Sequence, residues 1–162
     1  MPLPQNLSFK SMKALSDEDA RALSGLHMRC FIGSEVWSPD EFLSVSGDQV
    51  RWGVYAQDDQ QNPLALIVMM DSGDDCEILT IGTHPQFRHM GIARYLLQFV
   101  EETAHERGAG RCLLEVAADN PAAIGLYVSE GFEQIGKRAA YYQRENGHPT
   151  DAIVLSKTIR YE

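Results

Sequence analysis

The sequence predicts an α/β protein built on a mixed sheet with helices on both faces. Two observations carry that expectation. Strand-like alternation and helical periodicity take turns along the chain, and capping residues, prolines and glycines mark the switches between them. With 162 residues, 44% hydrophobic and 23% charged, the chain fits one domain spanning residues 1–162, large enough to bury a core.

Residues 7–12 alternate apolar and polar side chains, as a half-buried strand does. Ser16 then caps a helix to about Phe31, with Asp17, Glu18 and Asp19 at its positive end. Ser38-Pro39-Asp40-Glu41 starts a second helix: a capping serine, proline in the first turn, glutamate three residues on. Residues 50–55 and 64–70 read as strands joined by the polar turn 58–63, hence a hairpin. Residues 77–83 form a further strand, stopped by His84-Pro85.

Residues 91–107 follow as an amphipathic helix with Ile92, Leu96, Phe99, Val100 and Thr103 on one face and Gly108 beyond its end. Residues 112–117 are an apolar strand with Glu115 embedded in it. Asn120-Pro121 caps a short helix ending at Gly131, and residues 132–136 and 152–159 close the sheet. The expected order is β-α-α-β-β-β-α-β-α-β-β.

Composition narrows the function. A formal net charge of −9 argues against a nucleic-acid-binding module and is compatible with a basic protein partner. No run approaches the roughly 18 apolar residues of a membrane-spanning helix, and the N-terminus has no basic run leading an apolar core, so the cytoplasm is expected. Cys30, Cys76 and Cys112 include no CxxC pair and read as small hydrophobes in a reducing compartment. The five histidines form no HExxH pair, and no metal is expected.

The segment Phe87-Arg88-His89-Met90-Gly91-Ile92-Ala93 lies between a strand and the start of the long helix. Free backbone N–H groups and the positive dipole end make such a place a phosphate site. Gly91 allows close backbone approach and Arg88 adds a charge, while the absence of Gly-Lys-Ser/Thr excludes a Walker loop. Taken alone, the glycine also reads as a simple strand-to-helix turn.

Residues 88–93 resemble the Arg/Gln-x-x-Gly-x-Gly/Ala pyrophosphate loop of the GNAT superfamily of acetyltransferases. Asn120-Pro121-Ala122-Ala123-Ile124-Gly125-Leu126-Tyr127, followed by Glu130-Gly131-Phe132, resembles its second signature, Asn-x-x-Ala-x-x-Leu-Tyr-x-x-x-Gly-Phe. The two occur in order with one helix and one strand between them, which is far more specific than either half. Leu114-Glu115-Val116, Tyr141-Tyr142 and Asp151-Ala152-Ile153 further resemble the branch that acetylates the N-terminal alanine of a bacterial ribosomal protein. Departures are Ala93 for the usual last glycine, Gln143 where proline often follows the tyrosines, and the extra carboxylate Glu77.

The resemblance implies the GNAT acyl-CoA N-acyltransferase fold, with a mostly antiparallel central sheet. It implies acetyl-CoA as co-substrate and direct attack of an amine on the thioester. Cofactor binding then falls to Ile81, Gly82 and Thr83 along the strand, to Arg88, His89, Met90, Gly91, Ile92 and Ala93 in the loop, and to Asn120 and Tyr127. Gly82 either permits close approach of the pantetheine arm or marks a bulge.

An α-amine with pKa near ~8 loses its proton more easily than a lysine near ~10.4, by about 3 kcal/mol, so a modest base serves. Glu115 is the candidate base, its pKa raised by burial, unless it faces solvent or pairs with an arginine. Glu77 is its rival and reads as more exposed. Tyr127 is the candidate acid for the departing thiolate, or else a core tyrosine.

Trp37, Phe42, Tyr141 and Tyr142 are candidates for the peptide end of the site, or for a hydrophobic cluster under a loop. Three functions are therefore in play. They are a protein N-terminal acetyltransferase, an acetyltransferase for small amines or lysine side chains, and a non-catalytic acyl-CoA sensor.

Overall fold

The structure is a computed structural model that describes residues 3–159. Its elements in chain order are β1 (Ser8–Ser11), α1 (Asp17–Cys30), α2 (Pro39–Val45), β2 (Arg51–Gln57), β3 (Pro63–Ser72), β4 (Asp75–Thr83), α3 (Ile92–Glu106), β5 (Arg111–Ala117), α4 (Pro121–Ser129), β6 (Glu133–Tyr142) and β7 (Thr150–Thr158). Short 3-10 turns cover Gly33–Glu35 and Pro85–Phe87. The expected order of strands and helices is the observed one. The strands form a mixed seven-stranded sheet in the order β1-β2-β3-β4-β5-β7-β6, with β4 and β5 parallel.

The chain divides into two compact units, residues 1–70 with 79–100, and residues 71–78 with 101–162. In the first, both expected caps form, Ser38 as the expected capping box and Ser16 as a capping box as well. Ser16 and Asp19 exchange side-chain and backbone hydrogen bonds at the start of α1, and Ser38 and Glu41 do so at α2. Each box satisfies two N–H groups that the helix itself leaves unpaired. The hairpin β2–β3 pairs Arg51↔Met70 through Ala56↔Ala65. Its inner face meets α1 and α2 in a core of Met12, Ala20, Leu23, Leu26, Phe42, Val45, Tyr55, Leu66 and Val68.

In the second unit the β4–β5 ladder runs from Asp75↔Arg111 to Ile78↔Leu114. Along β5, Cys112, Leu114 and Val116 are buried while Leu113, Glu115 and Ala117 are half-buried. That alternation puts Glu115 on the opposite face from the packed one.

Two expectations are corrected. On α3 the buried positions are Ile92, Leu96, Leu97, Val100 and Ala104, whereas Phe99 is 39% exposed. At 100° per residue, Leu97 and Ala104 lie nearer the centre of the apolar stripe. Strand β6 continues to Tyr142 instead of ending at Gly136. It lies at the edge of the sheet and is exposed along nearly its whole length, so it lacks the apolar alternation that marks a strand.

The end of β6 carries a bulge. Arg138 pairs with Ala152 and Tyr142 with Thr150, so residues 139–141 stand opposite Asp151 alone. Ala140 takes the left-handed conformation at φ 52°, and its N–H donates to Asp151 Oδ1 at 2.8 Å. A Cβ in that conformation costs roughly 1–2 kcal/mol, partly offset by the greater unfolded-state freedom of glycine. Ala140→Gly should therefore raise the urea unfolding free energy by about 0.5–1 kcal/mol.

Candidate active site

In the first unit β4 ends at Thr83, and Pro85–Phe87 makes one 3-10 turn before the chain enters α3. The loop between them contains two left-handed residues, His89 at φ 63° and Gly91 at φ 81°. Such a kinked run turns successive N–H groups toward one side, and the first turn of α3 adds N–H groups that have no helical partner. The helix then takes hold through Tyr95 N–H to Gly91 O at 3.0 Å. His89 is exposed and Met90 and Ala93 are half-buried. The Ile92 side chain is 1% exposed, so it belongs to the core and only its backbone is available to a ligand.

Arg88 turns back along its own strand, with Nε 3.4 Å from Thr83 O. It also acts on Cys30. Burial pushes that thiol up, and the charge and hydrogen bond of Arg88 oppose the shift. The reason for Gly82 lies here. A Cβ at that position would sit 3.0 Å from Cys30 Sγ and 3.1 Å from Cys30 Cβ. Gly82 thus lets the end of α1 lie against β4, a constraint that neither reading of the sequence contained.

Trp37 and Phe42, expected at the peptide end, fall within an aromatic group around His27. The His27 ring stacks on Phe31 with centroids 4.4 Å apart and meets Phe42 edge-on at 5.7 Å, while Trp37 and Phe42 are 5.3 Å apart. Phe42 is 0% exposed and is a core residue, so its assignment to substrate is corrected. Trp37 is only partly buried. The Trp37 N–H donates to His27 Nδ1 at 3.0 Å, which leaves Nε2–H to face Thr80 Oγ1 at 2.8 Å. His27 therefore connects the segment after α1 to β4.

The second unit holds the candidate acid and base residues Glu115, Glu77 and Tyr127. Glu115 Oε1 lies 2.9 Å from Arg138 Nε, and the Arg138 guanidinium sits 5.4 Å from the centre of the Tyr141 ring. The arginine pairing, one of the two alternatives open for Glu115, is the arrangement present. Glu77 is half-buried, not exposed as its place near the strand start suggested. Its pKa is raised, first by burial and then by the negative Glu115, with Arg138 pulling the other way. A like charge and burial both disfavour the ionised form of Glu77.

Asn120 caps α4 by accepting the Ala123 N–H at 3.2 Å. Tyr127 lies two turns along that helix, 6% exposed, with its ring edge-on to Phe132 at 6.0 Å. Burial, and then the neighbouring Tyr142, push its phenol far above the usual value. It is protonated at any physiological pH and available as a donor. Tyr141 and Tyr142 are edge-on to each other at 5.1 Å, and Tyr141 is 49% exposed.

Residues that sequence reasoning missed include Arg138, Arg144, Asp119 and His27. Arg144 forks onto Asp119 through Nε to Oδ2 at 2.8 Å and Nη2 to Oδ1 at 2.9 Å. No local pattern announces pairs 25 residues apart. His27 did leave a trace, because it continues the buried face of α1 set by Ala20, Leu23 and Ser24.

Comparison with known proteins gives the family. The model of the Acetyltransferase (GNAT) family matches residues 18–132. The "[Ribosomal protein bS18]-alanine N-acetyltransferase" of Salmonella typhimurium is 32% identical over 123 residues, 76% of this chain and 81% of that protein. The "N-alpha-acetyltransferase RimI" of Mycobacterium tuberculosis is 30% identical over 143 residues, 80% of this chain and 82% of that protein. The crystal structure of the ribosomal-protein-S18-alanine N-acetyltransferase from Escherichia coli superimposes with a TM-score of 0.82 at 25% identity, covering 96% of each chain. The family match spans most of the chain, and the chain belongs to the GNAT family of N-acetyltransferases.

Proposed function

We propose that the chain works as one catalytic domain in the cytoplasm, transferring the acetyl group of acetyl-CoA to the N-terminal α-amine of a protein. The acceptor is an N-terminal alanine, that of a small-subunit ribosomal protein or a similar protein. The sequence likeness to enzymes named for that reaction, over about three quarters of the chain, supports the acceptor class.

The single structural observation that carries the chemistry is the half-buried Glu77, its pKa raised by burial and by Glu115, together with the Glu115–Arg138 pair. In this reading the ammonium proton passes to Glu115 or Glu77, directly or through a water. The neutral amine nitrogen forms a bond to the thioester carbonyl carbon, the carbon–sulfur bond breaks, Tyr127 gives its proton to the CoA sulfur, and the proton the nitrogen sheds as the amide forms returns to the Tyr127 oxygen, directly or through a water. The backbone of Ile81, Gly82 and Thr83 and the N–H groups of residues 88–93 hold the acetyl-CoA. The short β4–β5 ladder, ending at Ile78↔Leu114, supports the first of these roles. Asn120 serves the CoA arm as well as the helix, and Trp37, Tyr141 and Tyr142 line the peptide end.

The test measures CoA release with acetyl-CoA and two matched peptides. One has a free N-terminal alanine and no lysine, and the other has a blocked N-terminus and an internal lysine. Turnover of the alanine peptide alone is expected. Turnover of the lysine peptide alone would transfer the reading to side-chain acetylation. Turnover of neither, with acetyl-CoA bound, would favour a small-molecule amine.

A further inference from the structure

Strands β6 and β7 are joined by residues 143–149, and this turn is fastened to the start of α4. After the bulge at residues 139–141, Tyr142 rejoins the ladder opposite Thr150. Arg144 then folds back over it, with the guanidinium carbon 5.5 Å from the centre of the Tyr142 ring. The far side of that guanidinium makes the two-pronged contact with Asp119. Asp119 directly precedes Asn120, the cap of the helix that carries Tyr127.

The contact is more than surface ornament. A single exposed ion pair contributes about 0–1 kcal/mol, because two long side chains are ordered in high dielectric. Here the Arg144 side chain is only 17% exposed, its planar fork matches both carboxylate oxygens, and its face covers an aromatic ring. Asp119 answers to the same partner, its carboxyl held below the usual range chiefly by the hydrogen bond from Arg144. The chain around Ala140 accepts a left-handed alanine to bring Tyr142 back into register, which fixes one end of the turn. Arg144 fixes the other. Tyr142 lies between these two fixings.

We propose that Asp119 and Arg144 are a positioning pair that holds the 143–149 turn closed on the start of α4, seats Tyr142 beside Tyr127, and thereby sets how tightly the amine acceptor is bound. The proposal rests on the acetyltransferase reading of the Tyr127 region. Neither residue exchanges a proton with substrate in it. Their effect is confined to the acceptor and leaves acetyl-CoA alone.

The test uses the full chain with Asp119→Asn, Arg144→Gln, Arg144→Lys and the Asp119→Asn/Arg144→Gln double variant. Arg111→Ala is the control, since it breaks a different forked pair, with Asp75. The KM for the N-terminal-alanine peptide should rise about tenfold in each neutralising single variant, with the KM for acetyl-CoA unchanged. The double variant should be no worse than the poorer single, as two halves of one contact require. Arg144→Lys, which keeps charge without the fork, should recover only part of the loss.

Deuterium exchange of amides 143–148 in substrate-free protein should rise about tenfold in the same single variants and stay at the wild-type level in the control. Unchanged exchange overturns the proposal whichever amine the enzyme accepts. Faster exchange with an unchanged KM for the amine the enzyme uses overturns it too, leaving the pair as a structural staple. Additive effects in the double variant also overturn it. Undiminished turnover by Tyr127→Phe, by contrast, would sink the acid assignment and leave the exchange result to decide the pair.

Discussion

Tyr127→Phe should lower kcat by about 10²–10³-fold while the protein keeps its fold and its affinity for acetyl-CoA. The substitution removes one oxygen and retains the ring, so the edge-on contact with Phe132 persists. A thiolate leaving without a proton is a poorer leaving group, and the loss therefore falls on the chemical step. The direction of the phenol shift has a consequence for pH. Buried and beside Tyr142, Tyr127 holds its proton well beyond its ordinary range, so its ionisation should not appear as an alkaline limb below about pH 10.

On the proposed mechanism the acid limb reports Glu77, whose pKa is raised, and activity should fall as that carboxylate protonates. Glu77→Gln should remove the limb together with most of the activity. Stopped-flow traces of CoA release against pH, for wild type and both variants, check all of this. An alkaline limb near neutrality that Tyr127→Phe abolishes would show that the bound substrate lowers the phenol far below its free-enzyme value. Full activity in Tyr127→Phe would remove Tyr127 from the chemistry.

How much of this was legible in the sequence follows from the range of each interaction. Caps are local. Ser16 with Asp19, Ser38 with Glu41 and Asn120 with Ala123 were readable because donor and acceptor lie three residues apart. The strand-to-helix loop before α3 was readable for the same reason, its two left-handed residues sitting within one segment. Edge strand β6 beyond Gly136 was not, because an exposed edge places no demand on side-chain polarity, and Lys137-Arg138-Ala139-Ala140 carries no period.

The candidate acid and base residues divide along the same line. Each could be named singly from the sequence, but the contacts among them could not. The relation between Glu77 and Glu115 is set by Arg138, which comes from another strand 23 positions beyond Glu115. Phe42 went wrong for the converse reason. Its place on a short helix near Trp37 suggested a substrate wall, and only the packing of α1, α2 and the β2–β3 hairpin shows it enclosed.

Stability should fall between pH 6.5 and about 4 because of His27. The ring is 1% exposed among aromatic side chains, and burial lowers its pKa to about 4 despite the nearby Glu41. In the unfolded chain the same imidazole titrates near ~6.5. Below that value the unfolded state takes up a proton that the folded state refuses, so unfolding becomes easier as pH drops. The loss is complete near pH 4, where the folded form also protonates, and amounts to about 2 kcal/mol after allowance for partial solvent screening.

The protonated ring can no longer accept the Trp37 N–H at Nδ1. The clamp between β4 and the segment after α1 is therefore what opens. Glu77 works in the opposite sense, since a raised carboxylate pKa makes folding more favourable as pH falls through it. The carboxyls of Asp48, Asp58, Asp75, Asp119 and Asp151, all held low by hydrogen bonds, cost stability mainly below pH 4. The interval from 6.5 to 4 thus isolates the histidine once a His27→Gln variant is measured beside wild type. The variant should be less stable at pH 7.5, because glutamine fits the aromatic enclosure poorly, and its urea midpoint should be flatter with pH across that interval. A parallel decline in both proteins would assign the effect to other groups and leave His27 a purely structural link between Thr80 and Trp37.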